Sequence, residues 1–236
     1  MTPMALLDGL RGKLVVSVQA PAGGPLDDPY VIAAMARAAI ENGAAALRIQ
    51  SERHIRAVKA ALDAPVIGIV KRTYPDFEPY ITPTEMEVEE IARAGAEIVA
   101  FDATRRKRPS GTDIRRLIEA IHRNGLIAMA DCATFDDGVA AVAAGVDILA
   151  TTLCGYTRET KGFSLPSLAL VDQFAQLHSY VICEGGIDSP EAARAAFEAG
   201  ADAIVVGTAI TGIDRLVRRF IEATPVHAKT AAARDK

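Results

Sequence analysis

The chain has 236 residues, 50% hydrophobic and 24% charged, with a formal net charge of −4 and three cysteines. This composition excludes disorder, collagen and a disulfide scaffold, and a domain of this length needs no covalent or metal staple. The longest uncharged stretch, Leu14–Leu26, covers 13 residues and contains Pro21, Gly23 and Gly24, against about 20 apolar residues for a bilayer span.

Met1–Lys13 reads as an extra helix ahead of the first apolar run, Leu14–Gln19. From there one phrase recurs: an Ala-rich helix end, a Gly, then a short apolar run. It appears at Gly43 before Ala45–Ile49, at Gly95 before Ile98–Ala100 and at Gly125 before Leu126–Ala130. It returns at Gly145 before Val146–Leu149 and at Gly200 before Ala203–Val206. Glycine just past a helix closes the last turn in the left-handed conformation. The runs lack polar alternation, as strands buried on both faces do. Two long gaps between phrases hide further runs at Val66–Lys71 and Tyr180–Glu184, which brings the spacing to roughly 20–30 residues, the size of a βα unit.

Helical patterns fill the intervals at Pro29–Asn42, Glu52–Leu62, Thr84–Ala94, Thr112–Asn124, Phe135–Ala144, Leu165–Gln176, Pro190–Ala199 and Ile213–Ala223. Eight strands alternating with eight helices predict a single (β/α)8 TIM barrel over residues 1–236, with 1–13 covering its bottom and 224–236 a frayed tail. An open doubly wound sheet is the competing architecture.

TIM-barrel chemistry sits at the C-terminal strand ends. Those ends carry Gln19, Arg48, Lys71, Asp102, Asp131, Thr152, Glu184 and the pair Gly207-Thr208. An Arg, a Lys, two Asp and a Glu converging on one mouth point to function. Lys71 follows an apolar wall, which lowers an ammonium pKa and suits a base or a Schiff-base amine. Glu184 ends strand seven, opposite strand three, so the two address opposite faces of one bound molecule. Two Gly-rich loops, Glu184-Gly185-Gly186 and Gly207–Thr211, fall where barrels of this class bind phosphate.

No strand end carries His, which disfavours a His-based metal site. Cys132, Cys154 and Cys183 read as reduced, buried thiols of a cytoplasmic protein. No secretory signal precedes the first strand. The one basic run, Arg105–Arg108, reads as a solvated loop rather than a nucleic-acid surface.

At these residues the chain resembles the N-acetylmannosamine-6-phosphate 2-epimerase family. The matching segments include Val16–Gln19, Leu47–Ile49, Gly68–Arg72, Phe101–Thr104 before Arg108-Pro109, and Met129–Thr134. The match continues through Thr151–Thr157, Glu184-Gly185 and Gly207–Thr211, so that the likeness runs from about residue 14 to 222. The resemblance implies cofactor-free, metal-independent epimerisation at carbon 2 of an N-acetylated hexosamine 6-phosphate by a cytoplasmic homo-oligomer, a dimer in the family pattern. It implies Lys71 and Glu184 as the catalytic pair and Gln19, Arg48, Asp131 and Tyr156 as sugar-positioning residues. Gly185, Gly186, Gly207 and Thr208 would then form the phosphate cradle. Where the family usually has Arg, this chain has Gly186 and Gly212; Lys161, Arg158 or Arg215 is expected to supply the missing charge. The alternatives are a Schiff-base aldolase using Lys71 and a non-catalytic sugar-phosphate-binding barrel.

Overall fold

The computed structural model describes residues 2–225. Helix α1 (Pro3–Leu10) leads into β1 (Lys13–Val18), followed by α2 (Pro29–Glu41), β2 (Ala46–Gln50), α3 (Glu52–Ala61) and β3 (Val66–Ile69). Then come α4 (Glu85–Ala94), β4 (Ile98–Asp102), α5 (Ile114–Arg123), β5 (Ile127–Asp131), α6 (Phe135–Ala143) and β6 (Ile148–Ala150). The chain continues through α7 (Leu168–Ala175), β7 (Tyr180–Glu184), α8 (Pro190–Glu198), β8 (Ala203–Val206), α9 (Thr208–Thr211) and α10 (Ile213–Glu222). The strands are parallel and close in sequence order, β8 returning to β1 with Val16 opposite Val206. The open doubly wound alternative is thereby overturned.

Side chains alternate faces along a strand, and that alternation builds two cores. Val15, Ala46, Ile67, Ile69, Ile98, Met129, Ile148, Ile182 and Val205 fill the barrel, with Leu6 and Leu10 of α1 plugging its bottom. Val16, Leu47, Ile49, Val99, Phe101, Leu149 and Val181 point outward onto Ile55, Val88, Ile91, Leu117, Val171 and Phe174 of the helices. Gly68 is one of those outward positions; a Cβ there would sit 2.4 Å from Ile91 Cγ2, so glycine lets α4 press against β3.

Where the expected elements shift, local chemistry explains it. Helix α7 begins at Leu168 rather than Leu165, because the ring of Pro166 keeps the preceding residue out of the helical region. Strand β3 ends at Ile69, and Lys71 instead pairs in an isolated bridge with Ile81. The one-turn helix α9 and the 3-10 turn Pro109–Gly111 escape a periodicity reading because each is too short to show a period. Of the expected tail, Thr224 and Pro225 are exposed and the rest lies outside the described residues.

Candidate active site

The barrel mouth opens into a cavity of about 930 Å³, within the range that holds a small ligand. Inward alternation places its floor. Ser17 and Gln19 continue the inward row of Val15, Arg48 and Gln50 that of Ala46, and Lys71 that of Ile67 and Ile69. Asp131 follows Ile127 and Met129, Thr152 follows Ile148 and Ala150, and Glu184 follows Tyr180 and Ile182.

Arg48 organises this floor. Its fully buried guanidinium donates to both Asp131 oxygens, Nη1 to Oδ1 at 3.0 Å and Nη2 to Oδ2 at 2.6 Å. Nη1 also donates to Glu184 Oε2. The Thr152 hydroxyl lies 2.7 Å from Asp131 Oδ1 and 3.3 Å from Glu184 Oε2. Thr151 clips the Glu184 backbone, accepting from its N–H at 3.1 Å and donating to its carbonyl at 2.9 Å. The fork thus grips Asp131 through two parallel bonds and Glu184 through one.

The consequences differ for the two groups expected to act. Burial raises the Glu184 carboxyl to about 7, and the neighbouring Asp131 charge adds to the rise, outweighing Arg48. Lys71 has no hydrogen bond or ion pair among the described residues, since Arg48 has taken both carboxylates. It stays open to the mouth, yet desolvation by surrounding protein, reinforced by the Arg48 and Arg215 charges, lowers its ammonium to about 8. Strands β3 and β7 stand opposite one another in the closed order, so Lys71 and Glu184 face the cavity from opposing walls. Burial likewise raises the Tyr80 phenol, which lines the cavity.

Gln19, Arg48, Lys71, Tyr156, Glu184, Gly185, Gly186, Gly207 and Thr208 all line the cavity, and Asp131 lies directly behind Arg48. Gln19 donates to Ser17 Oγ at 2.8 Å, and its buried Oε1 has no partner among the described residues. Tyr156 is exposed at the rim, with its ring over Gly185. Ser17, Gln50 and Tyr80 also line the cavity and were not singled out by strand-end reasoning. Continuing the alternation one step back from Gln19 and one step on from Arg48 finds the first two. Tyr80 lies in the loop after β3 and carries no such signal.

Asp102 does not join the mouth, contrary to expectation. It is fully buried and accepts from Thr104 N at 3.0 Å, Thr104 Oγ1 at 2.6 Å, Arg106 Nη2 at 2.6 Å and Arg108 Nη2 at 3.4 Å. The run Arg105–Arg108 is therefore no solvated loop: two of its arginines fasten it to β4. Among the three candidate cations, Arg215 lines the main cavity, while Arg158 lines a separate hollow of about 300 Å³ beside Arg105 and Arg106. Lys161 is exposed and lines neither. Among the described residues no cluster of three or more His, Cys, Asp or Glu is arranged to hold a metal ion, and no helix is long and apolar enough to cross a membrane.

Residues 32–226 match the model of the family described as "Putative N-acetylmannosamine-6-phosphate epimerase". The chain belongs to this family. A relative from Synechococcus elongatus named "Putative N-acetylmannosamine-6-phosphate 2-epimerase" is 48% identical over 91% of this chain and 94% of its own length. One of the same name from Clostridioides difficile is 40% identical over 94% of this chain and its whole length. The solved N-acetylmannosamine-6-phosphate 2-epimerase from Clostridium perfringens superposes with a TM-score of 0.90 at 40% identity, covering 93% of this chain and 96% of that one. A thiamine phosphate pyrophosphorylase from Pyrococcus furiosus, at 19% identity and a TM-score of 0.59, shares the fold alone.

Proposed function

We propose that this family member interconverts N-acetylmannosamine 6-phosphate and N-acetylglucosamine 6-phosphate, the reaction class named for its relatives, in amino-sugar catabolism. The observation that carries the reading is the pair of facing groups, Lys71 without an ionic partner among the described residues and Glu184 kept protonatable near neutrality, on opposite walls of one cavity. Epimerisation at carbon 2 removes the proton beside the carbonyl of the open-chain sugar and returns one to the other face. One of the pair abstracts while the other delivers; the reverse direction exchanges the roles. Atoms balance without a co-reactant. A positioned base contributes about 10²–10⁴-fold, and cationic Arg48 below the cavity favours the negative charge that develops on the sugar oxygen. Gln19, Arg48, Asp131 and Tyr156 position the sugar, and Gly185, Gly186, Gly207 and Thr208 offer backbone to the phosphate. The free, buried cysteines Cys132, Cys154 and Cys183 suit a reducing, cytoplasmic setting.

The test is incubation with N-acetylmannosamine 6-phosphate followed by NMR. The expected result is an equilibrium mixture of the two epimers, with no borohydride-stable adduct on Lys71. Carbon–carbon cleavage with such an adduct would replace this reading by the aldolase one, and calorimetric binding without turnover would replace it by a binding barrel.

The active form is proposed to be a homodimer. Helix α10 buries none of its residues and exposes Ile213, Val217, Phe220 and Ile221, a face a second copy of this chain would cover. Light scattering at twice the chain mass, reverting to the chain mass in Phe220→Glu, is the expected outcome.

A further inference from the structure

At Gly186 and Gly212 the rim of the cavity on the β7–β8 side offers an anion backbone but no side chain. Gly186 has φ 76°, and a Cβ there would lie 2.3 Å from Leu165 Cβ. At Gly212 a Cβ would lie 2.9 Å from Thr208 Cα and 3.0 Å from its carbonyl oxygen. Real Cβ contacts are not that short, so both loops are built on glycine and a cation for an anion bound here comes from another position.

Four cations line the cavity: Arg48, Lys71, Arg215 and Arg219. Arg48 is committed to Asp131 and Glu184. Arg219 faces Asp188 at 3.4 Å. Lys71 stands at the reacting carbon in the reading above. The Arg215 side chain has neither hydrogen bond nor ion pair among the described residues. Its neighbour Asp214 also lines the rim and bonds to nothing there; a carboxylate repels an anion and leaves Arg215 as the group that attracts one. The Arg215 charge is felt at Lys71, so its field reaches the cavity interior rather than bulk water alone.

We propose that Arg215, on the first turn of α10, is the side chain that binds the substrate's phosphate and sets the preference for a phosphorylated sugar. This rests on the function proposed above. A guanidinium meets a phosphate with two parallel N–H donors, which a lysine cannot copy.

The experiment compares kcat/KM for N-acetylmannosamine 6-phosphate and for N-acetylmannosamine in the parent, Arg215→Ala, Arg215→Lys and Arg158→Ala. Arg215 is exposed on a helix that buries nothing, so its replacement leaves the core intact. Losing one charge-assisted anchor is expected to lower kcat/KM on the phosphorylated sugar by about 10- to 100-fold. The ratio of the two efficiencies, phosphorylated over neutral sugar, falls with it, because any effect of Arg215 on Lys71 bears on both sugars alike, and Arg215→Lys falls between. Inhibition by inorganic phosphate weakens in parallel, and Arg158→Ala matches the parent. An unchanged preference in Arg215→Ala overturns the proposal and leaves the epimerase reading standing. A parent that uses both sugars equally overturns the phosphate requirement itself, and the proposal with it.

Discussion

Asp102 and Asp131 end neighbouring strands and sit directly opposite one another in the register of β4 and β5. Both are completely buried and both are gripped by arginine. Their environments nevertheless serve different ends. The arginines on Asp102 arrive from the loop that follows it, so the pair folds that loop back onto β4. The arginine on Asp131 arrives from β2, across the barrel interior, and stops beside Glu184. Burial and a cation do not make a strand-end carboxylate part of a site. What decides is whether its partner comes from its own loop or from another wall of the cavity.

Arg48→Met tests the contrast most severely. It leaves Asp131 and Glu184 as two buried carboxylates without a cation, which costs about 3–5 kcal/mol. A urea midpoint well below the parent's, together with lost activity, is expected; a stable, active variant would show that the fork is dispensable.

Lys71→Ala and Glu184→Gln come next. Each should lose at least about 10²-fold in kcat, the low end for a general base, while circular dichroism and urea midpoint stay near the parent's. Parental turnover in either variant would remove that residue from the proton path.

The pH profile sharpens the comparison by charge state. With Glu184 at about 7 and Lys71 at about 8, kcat/KM should be bell-shaped with its maximum between those values. Glu184 anionic with Lys71 charged is favoured between the two pKa values, lost below 7 as Glu184 protonates and lost above 8 as Lys71 deprotonates. The reverse pair, both neutral, gives a bell of the same shape from a minority state, so the profile tests the pair and not the division of labour. Glu184→Gln should flatten the acid limb of whatever activity remains.

The smallest effect is expected from Arg106→Met. Thr104 and Arg108 still hold Asp102, so the loss is about 1–2 kcal/mol, with kcat unchanged. A collapse of kcat in this variant would place the Asp102 clamp inside the site after all.

Much of this architecture is legible in the residues because it rests on periodicity. The Gly-capped helix ends set the βα rhythm, and inward alternation from Ile67 and Ile69 carries on to Lys71 even past the end of β3. What alternation cannot show is how a side chain is used once it points inward. Asp102 has the right parity, yet the arginines that claim it lie in a loop whose path no local pattern dictates. Gly186 and Gly212 likewise look like missing side chains in sequence. Only the packed loops show that Leu165 and Thr208 fill the space a Cβ would need. Tyr80 reaches the cavity from a long irregular connection, for the same reason beyond the reach of pattern.

In the proposed reaction two different groups on opposite walls handle the carbon 2 proton, one taking it and the other giving one back. Conversion of N-acetylmannosamine 6-phosphate in heavy water, followed by NMR of the product, tests this most directly. Both the Lys71 ammonium and the Glu184 carboxyl exchange with solvent, so the delivered proton is never the one removed. The account predicts full deuteration at carbon 2 of N-acetylglucosamine 6-phosphate from the first turnovers; product that forms at the same rate with its original proton retained would contradict it.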